Sequence, residues 1–151
     1  MNLQEELKAL KERIAELEEQ AKEEQEFPRD GDEYWFINST GDVVKSNWES
    51  LSFEIDRLEF GHIFKTKKEA EFAVEKLKVE AELRKFSRPF EEDVYNSYIE
   101  LYMPDKTLTV DDCEHWQKQG VIYFESDKKA QQAIDAVGEN RIKKYIFGVE
   151  D

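Results

Sequence analysis

The chain has 151 residues, 39% hydrophobic and 13% aromatic, which is enough for one modest packed domain. A formal charge of −14, from 22 basic and 36 acidic residues, argues against general binding to duplex nucleic acid, because phosphate attraction supplies most non-specific affinity. No apolar run approaches membrane-spanning length, and the opening Met-Asn-Leu-Gln-Glu-Glu has neither the basic nor the apolar region of a signal peptide, so a cytoplasmic protein without a membrane partner is expected.

The first element runs from Leu3 to Gln25. Leu3, Leu7, Leu10, Ile14, Leu17 and Ala21 fall at alternating spacings of four and three, with Leu7, Ile14 and Ala21 at heptad position a and Leu3, Leu10 and Leu17 at d. In a parallel pair each g residue faces the following e of its partner, which joins Glu6 to Lys11 and Arg13 to Glu18. An isolated helix of this length is marginal in water, so the seam must be buried against another copy or against the body. Residues 1–25 are therefore read as an oligomerisation coiled coil. A parallel homodimer is the first expectation and a dimer of dimers the alternative. Residues 26–32, Glu26-Phe-Pro-Arg-Asp-Gly-Asp, read as a linker with a turn.

The body begins at Glu33. Glu33 to Ile37 is aromatic and β-branched, Asn38-Ser-Thr-Gly-Asp is turn chemistry, and Asp42 to Trp48 resumes alternation, which predicts a hairpin. Glu49 to Phe60 is poorly periodic and reads as a loop with one helical turn at most. Gly61-His-Ile-Phe-Lys is a short strand. Thr66 opens a helix, with Glu69 three residues on as its capping-box partner and a wide apolar face from Ala70 to Phe86; it ends before Pro89.

The second half repeats this order. Ser97 to Met103 and Thr107 to Asp111 are strands about a Pro104-Asp-Lys turn, Trp116 stands where Trp48 stood, and Gly120-Val-Ile-Tyr-Phe-Glu is a further strand. Ser126 corresponds to Thr66, and Ala130, Ala133, Ile134 and Val137 match Ala70, Ala73, Val74 and Leu77 at a constant offset of 60. Gly138 is a helix C-cap and Arg141 to Phe147 a last strand or short helix. The expected fold is α+β: a coiled-coil helix, then a body over 33–151 made of two β-β-β-α halves, 33–88 and 96–148, sharing one antiparallel sheet with helices on one face.

Little here supports catalysis. Cys113 is the only cysteine, which excludes an intrachain disulfide, and its neighbours Asp111, Asp112 and Glu114 would raise rather than lower its thiol pKa, so pairing with His115 is a weak nucleophile signal. His62 and His115 lack metal-ligand spacing, and Gly41, Gly61, Gly120 and Gly138 form neither a dinucleotide fingerprint nor a P-loop. No enzyme activity, metal or cofactor is expected. Glu91, Glu92 and Asp93 follow a proline in the manner of a solvated loop.

The runs Tyr34-Trp-Phe-Ile-Asn-Ser-Thr-Gly-Asp-Val-Val, Gly61-His-Ile-Phe-Lys-Thr-Lys-Lys-Glu-Ala-Glu-Phe-Ala-Val-Glu-Lys-Leu-Lys-Val and Gly120-Val-Ile-Tyr-Phe-Glu-Ser, with Gly138-Glu-Asn-Arg-Ile-Lys-Lys-Tyr, resemble small accessory proteins of bacteriophages and prophages of Gram-positive bacteria. The similarity covers Glu33 to Glu150. It implies a phage protein working in the cytoplasm of an infected bacterium, among neighbours that include anti-CRISPR proteins and sponges for nucleotide immune signals. It supplies no catalytic residue.

Two kinds of binder follow, beside a purely structural coiled-coil phage adaptor. A sponge for a nucleotide-like signal needs aromatic faces for bases and cations for phosphate, for which Trp35, Trp48 and Trp116 with Arg84, Arg88, Arg141 and Lys144 are the candidates. The competing reading makes each tryptophan a core residue, with Trp48 and Trp116 capping the sheet edge of each half. An acidic mimic of nucleic acid would instead occupy the basic groove of a host defence protein such as a CRISPR nuclease, through Glu91, Glu92, Asp93, Asp105, Asp111 and Asp112.

Overall fold

The computed structural model describes residues 2–24 and 26–150; Met1, Gln25 and Asp151, which the expected helix and body take in, lie outside the described residues. Helix α1 (Leu3–Glu24) opens on a reciprocal cap. The Glu5 amide donates to the Asn2 side-chain oxygen at 2.8 Å, and the Asn2 amide donates back to the Glu5 carboxylate at 3.2 Å. From there to the C-terminus the chain is α+β, with five helices and two small antiparallel sheets among the described residues. None of these helices is long and apolar enough to cross a membrane. The chain divides into two compact units, one ending at Ala70 and one beginning at Glu71.

In the first unit β1 (Glu33–Ile37) and β2 (Val43–Asn47) pair as the expected hairpin, and β3 (Ile63–Phe64) adds to the other edge of β1. Asn38 makes the turn: its side-chain oxygen accepts from the amides of Thr40 and Asp42 at 3.0 and 2.8 Å, while Gly41 takes φ 84°, a region closed to most side chains. Tyr34, Phe36 and Trp48 form the core with Phe27 and Ile63 against them.

Residues 49–60 differ from the expectation. They contain helix α2 (Ser52–Glu59), a full eight residues rather than a loop with one turn. Its periodicity misleads because the residue it buries is a carboxylate: Glu54 is 1% exposed, whereas Leu51, Phe53, Ile55, Leu58 and Phe60 are all exposed. The helix is anchored by polar bonds instead of an apolar stripe. Glu54 Oε2 accepts from the Tyr34 hydroxyl at 2.5 Å, and Oε1 from the amides of Glu49 and Leu51 at 2.9 and 3.2 Å. Arg57, one turn on, lies over the Phe36 ring at 3.7 Å.

Helix α3 (Lys67–Arg84) runs across the division between units and starts where Thr66 Oγ1 accepts from the Glu69 amide at 3.2 Å. In the second unit β4 (Asn96–Tyr102) and β5 (Thr107–Cys113) pair over seven positions, followed by α4 (Asp127–Val137) and α5 (Glu139–Tyr145). The expected strand at 120–125 is reduced to two isolated bridges, Tyr123 with Arg88 and Phe124 with Ser97. Because those partners belong to different segments, no ladder longer than one pair forms. The single shared sheet is accordingly replaced by two separate ones, β2-β1-β3 and β4-β5.

The core of this unit collects Val79 and Leu83 from α3, Phe124, the Ala130, Ala133, Ile134 and Val137 face of α4, and Ile142 from α5. Gly138, at φ 105°, ends α4 and opens α5, which makes residues 141–145 helix rather than strand. Ser126 Oγ accepts from the Lys129 amide at 3.1 Å to cap α4. Replacing Ser126 by alanine is expected to cost about 1 kcal/mol, seen as a lower urea midpoint at unchanged slope; no shift would deny the cap its role.

Candidate functional site

Two clefts in the second unit meet along a common wall. The first, 390 Å³, is lined by Glu80, Leu83 and Arg84 of α3, Ile99 of β4, residues Gly120 to Ile122 with Phe124, and Ile142, Ile146 and Phe147 at the end of the chain. The second, also 390 Å³, is lined by Arg84, Ser87, Arg88, Pro89, Phe90, Gln117 and Val121 to Tyr123. Arg84, Val121 and Ile122 line both. Each volume lies in the range of small-molecule pockets; the first is mostly apolar, and the second sets Arg84, Ser87, Arg88 and Gln117 beside Phe90, Val121 and Ile122.

The walls follow from local structure. Leu83 is buried on α3, which leaves Arg84, the next residue, turned toward solvent and 3.6 Å from Glu80 one turn back. Tyr123 is held by its bridge to Arg88 and by its hydroxyl, which accepts from the Lys118 amide at 2.5 Å; its ring meets Phe90 edge-on at 5.2 Å and Tyr98 at 6.3 Å. Burial, seconded by the charge of Glu100, pushes the Tyr98 hydroxyl above its ordinary pKa.

The seven residues expected to bind ligand are distributed unevenly. Trp35 and Trp48 belong to the first unit; Arg84, Arg88, Trp116, Arg141 and Lys144 belong to the second. Trp48 is 5% exposed and packs edge-on against Tyr34 at 5.7 Å, a core position. Trp35 is half-buried, with the Lys67 ammonium 5.7 Å from its ring. Trp116, read as the counterpart of Trp48 in the core, is instead 78% exposed. The reason is backbone pairing. Trp48 exchanges main-chain bonds with Gly31 and Asp32, whereas Trp116 lies beyond Cys113, the last paired residue of β5.

Of the cations, only Arg84 and Arg88 line the clefts. Arg88 is already engaged: its guanidinium donates to Asn96 Oδ1 at 2.6 Å and to the carbonyls of Pro89 and Tyr95 at 3.0 and 3.1 Å. It holds the 88–96 loop closed. Arg141 bridges to Glu82 at 2.5 Å and donates to the Val137 carbonyl, tying α5 to α3. Lys144 is exposed, 5.5 Å from the Tyr145 ring. Arg84 is therefore the one expected residue placed at both clefts and held only by a half-exposed ion pair. Phe90, Gln117, Ile146 and Phe147 were not legible as site residues, since nothing in their spacing joins the chain end to the loop after Arg88.

The Cys113 thiol donates to the Asn96 carbonyl at 3.8 Å, and His115 Nε2 sits 3.8 Å from Glu114, so neither is directed at the other. Among the described residues no group of three or more His, Cys, Asp or Glu side chains is placed to hold a metal ion. No protein-family model, curated protein or solved structure matches the chain. What the clefts accept is decided by their own chemistry.

Proposed function

We propose that the chain is a non-enzymatic phage counter-defence protein that binds and sequesters a host nucleotide-like immune signal in the paired clefts of its second unit. One observation supports this reading above the others: two adjoining clefts of 390 Å³ each share one cation, Arg84. A signal with two bases joined through phosphate has the same layout, two flat apolar ends about a central negative charge. Phe90 offers ring surface in one cleft and Phe147 in the other, and a guanidinium matches phosphate oxygens in pairs. The acidic remainder of the molecule favours a small anion that reaches one cation over an extended polyanion that must lie along the surface.

Calorimetric titration with cyclic dinucleotides tests this. Stoichiometric binding is expected, weakened about tenfold or more in Arg84→Glu, a loss of ~1.4 kcal/mol or greater. Unchanged affinity in that variant would remove Arg84, and with it the argument, from the site.

The second reading, an acidic mimic that occupies a host nuclease, draws on Glu91, Glu92, Asp93, Asp105, Asp111 and Asp112, all exposed. Its contacts would be screened within about 10 Å at 0.1 M salt, so its binding to a basic partner must collapse as salt rises. The duplicated β-β-β-α plan belongs with these proposals: it is supported by the two hairpins and by the matching caps of Thr66 on α3 and Ser126 on α4.

A further inference from the structure

Among the described residues, helix α1 buries none of its apolar face. Every residue from Asn2 to Ala21 is exposed, and Leu3, Leu7, Leu10, Ile14 and Leu17 keep between 46 and 82% of their surface in contact with solvent. None of them joins either core. The helix is 22 residues long, yet helices in proteins gain most of their stability from a packed apolar face, and the apolar face of this one is exposed. The occupant is identified by the charges that flank the seam.

We infer that α1 pairs with α1 of a second copy of this chain, in parallel and in register, as a two-stranded coiled coil. A parallel pair sets Glu6 against Lys11 and Arg13 against Glu18, twice each by symmetry, so four attractive contacts border the seam. The antiparallel pair that keeps the same residues buried is unfavourable. Matching each a residue to a d residue, Leu7 to Leu17 and Ile14 to Leu10, centres the crossing so that Arg13 meets Arg13 and Lys11 meets Lys11 of the other strand. A foreign helix would have to reproduce both the spacing and the charge order. Of the a residues Leu7, Ile14 and Ala21, Ile14 is the β-branched one, and with Leu3, Leu10 and Leu17 at d it favours two strands. Arg13 also contacts Glu16 on its own helix at 3.3 Å, an exposed pair too weak to withhold it from Glu18 of the second copy.

Sedimentation equilibrium of the full chain gives the strand number. A mass of two chains is expected, falling to one in Ile14→Asp, while the buried Trp48 keeps its fluorescence as proof that the first unit stays folded. A monomeric parent, a trimer or tetramer, or an Ile14→Asp protein that stays dimeric would each overturn the inference. Orientation is read by Ala21→Cys in a Cys113→Ser background. In a parallel pair the two new thiols face each other and mild oxidation links the chains covalently; in the antiparallel pair Ala21 lies opposite Leu3, about 27 Å along the helix from the other Ala21. A dimer that resists this cross-link contradicts the parallel arrangement. None of these readouts involves a nucleotide, so their outcome is independent of what the clefts bind.

Discussion

Replacing Glu54 by alanine is expected to destabilise the first unit by about 3 kcal/mol or more. The carboxylate is fully buried and accepts three hydrogen bonds, from the Tyr34 hydroxyl and the amides of Glu49 and Leu51. Its removal leaves a buried phenol and two main-chain donors without acceptors and cuts α2 loose from β1. Burial acts to raise the Glu54 carboxyl pKa, but the hydrogen bonds from Tyr34, Glu49 and Leu51 and the charge of Arg57 outweigh it and hold it below the ordinary value. The same contact, with burial as the larger cause, holds the Tyr34 hydroxyl above its own.

The sign of the pH dependence follows. Because the folded pKa is depressed, the folded state binds fewer protons than the unfolded state between the two pKa values; the stabilisation is full above the unfolded value, near 4.3 by model peptides, and is lost as pH falls through the lower folded value. Urea unfolding followed by tryptophan emission in a Trp116→Phe background, which leaves Trp35 and Trp48 of the first unit, measures both effects. Glu54→Gln should flatten the acid limb of the stability curve. An alanine variant as stable as the parent, or an acid limb unchanged in the glutamine variant, would show that Glu54 does not anchor α2.

A loss of similar size is expected in the second unit from Asn96→Ala. Asn96 is fully buried at the start of β4. Its oxygen accepts from Arg88 and from the Glu91 amide, and its nitrogen donates to the carbonyls of Glu91, Val94 and Cys113. Every hydrogen-bonding position of the amide is thus used to close the 88–96 loop, and no buried side-chain nitrogen or oxygen among the described residues lacks a partner. Alanine strands several of those groups at once, for about 3 kcal/mol. Asn96→Asp keeps the acceptor but sets an anionic oxygen among three carbonyls, and should be no better tolerated. Hydrogen exchange of the paired β4 and β5 amides reads the result, since faster exchange is expected in both variants. Wild-type protection in Asn96→Asp would mean that the donor bonds contribute nothing.

These two anchors mark the boundary of what the sequence makes legible. Periodic and local signals carry through: the helix beginning at Leu3, the Asn38 and Gly41 hairpin turn, and the caps at Thr66 and Ser126 all depend on residues within four positions of one another. Signals that depend on distant partners do not. Helix α2 hides because its inward residue is Glu54, which is stable there only through Tyr34, twenty positions away. Trp48 and Trp116 look equivalent after their hairpins, yet one is tied to Asp32 by the main chain and the other is not. The arginines show the same limit. Their charge is visible in the sequence, but whether each is committed to Asn96, to Glu82 or to a cleft wall is settled only by the fold.

Native mass spectrometry of the full chain, recovered from a bacterium in which nucleotide immune signalling is active, shows whether the paired clefts capture a nucleotide-like signal. An adduct of nucleotide mass is expected, one per chain, released on denaturation and missing from Arg84→Glu. A protein that emerges from those cells at its bare mass, while the cells demonstrably contain the signal, would contradict it.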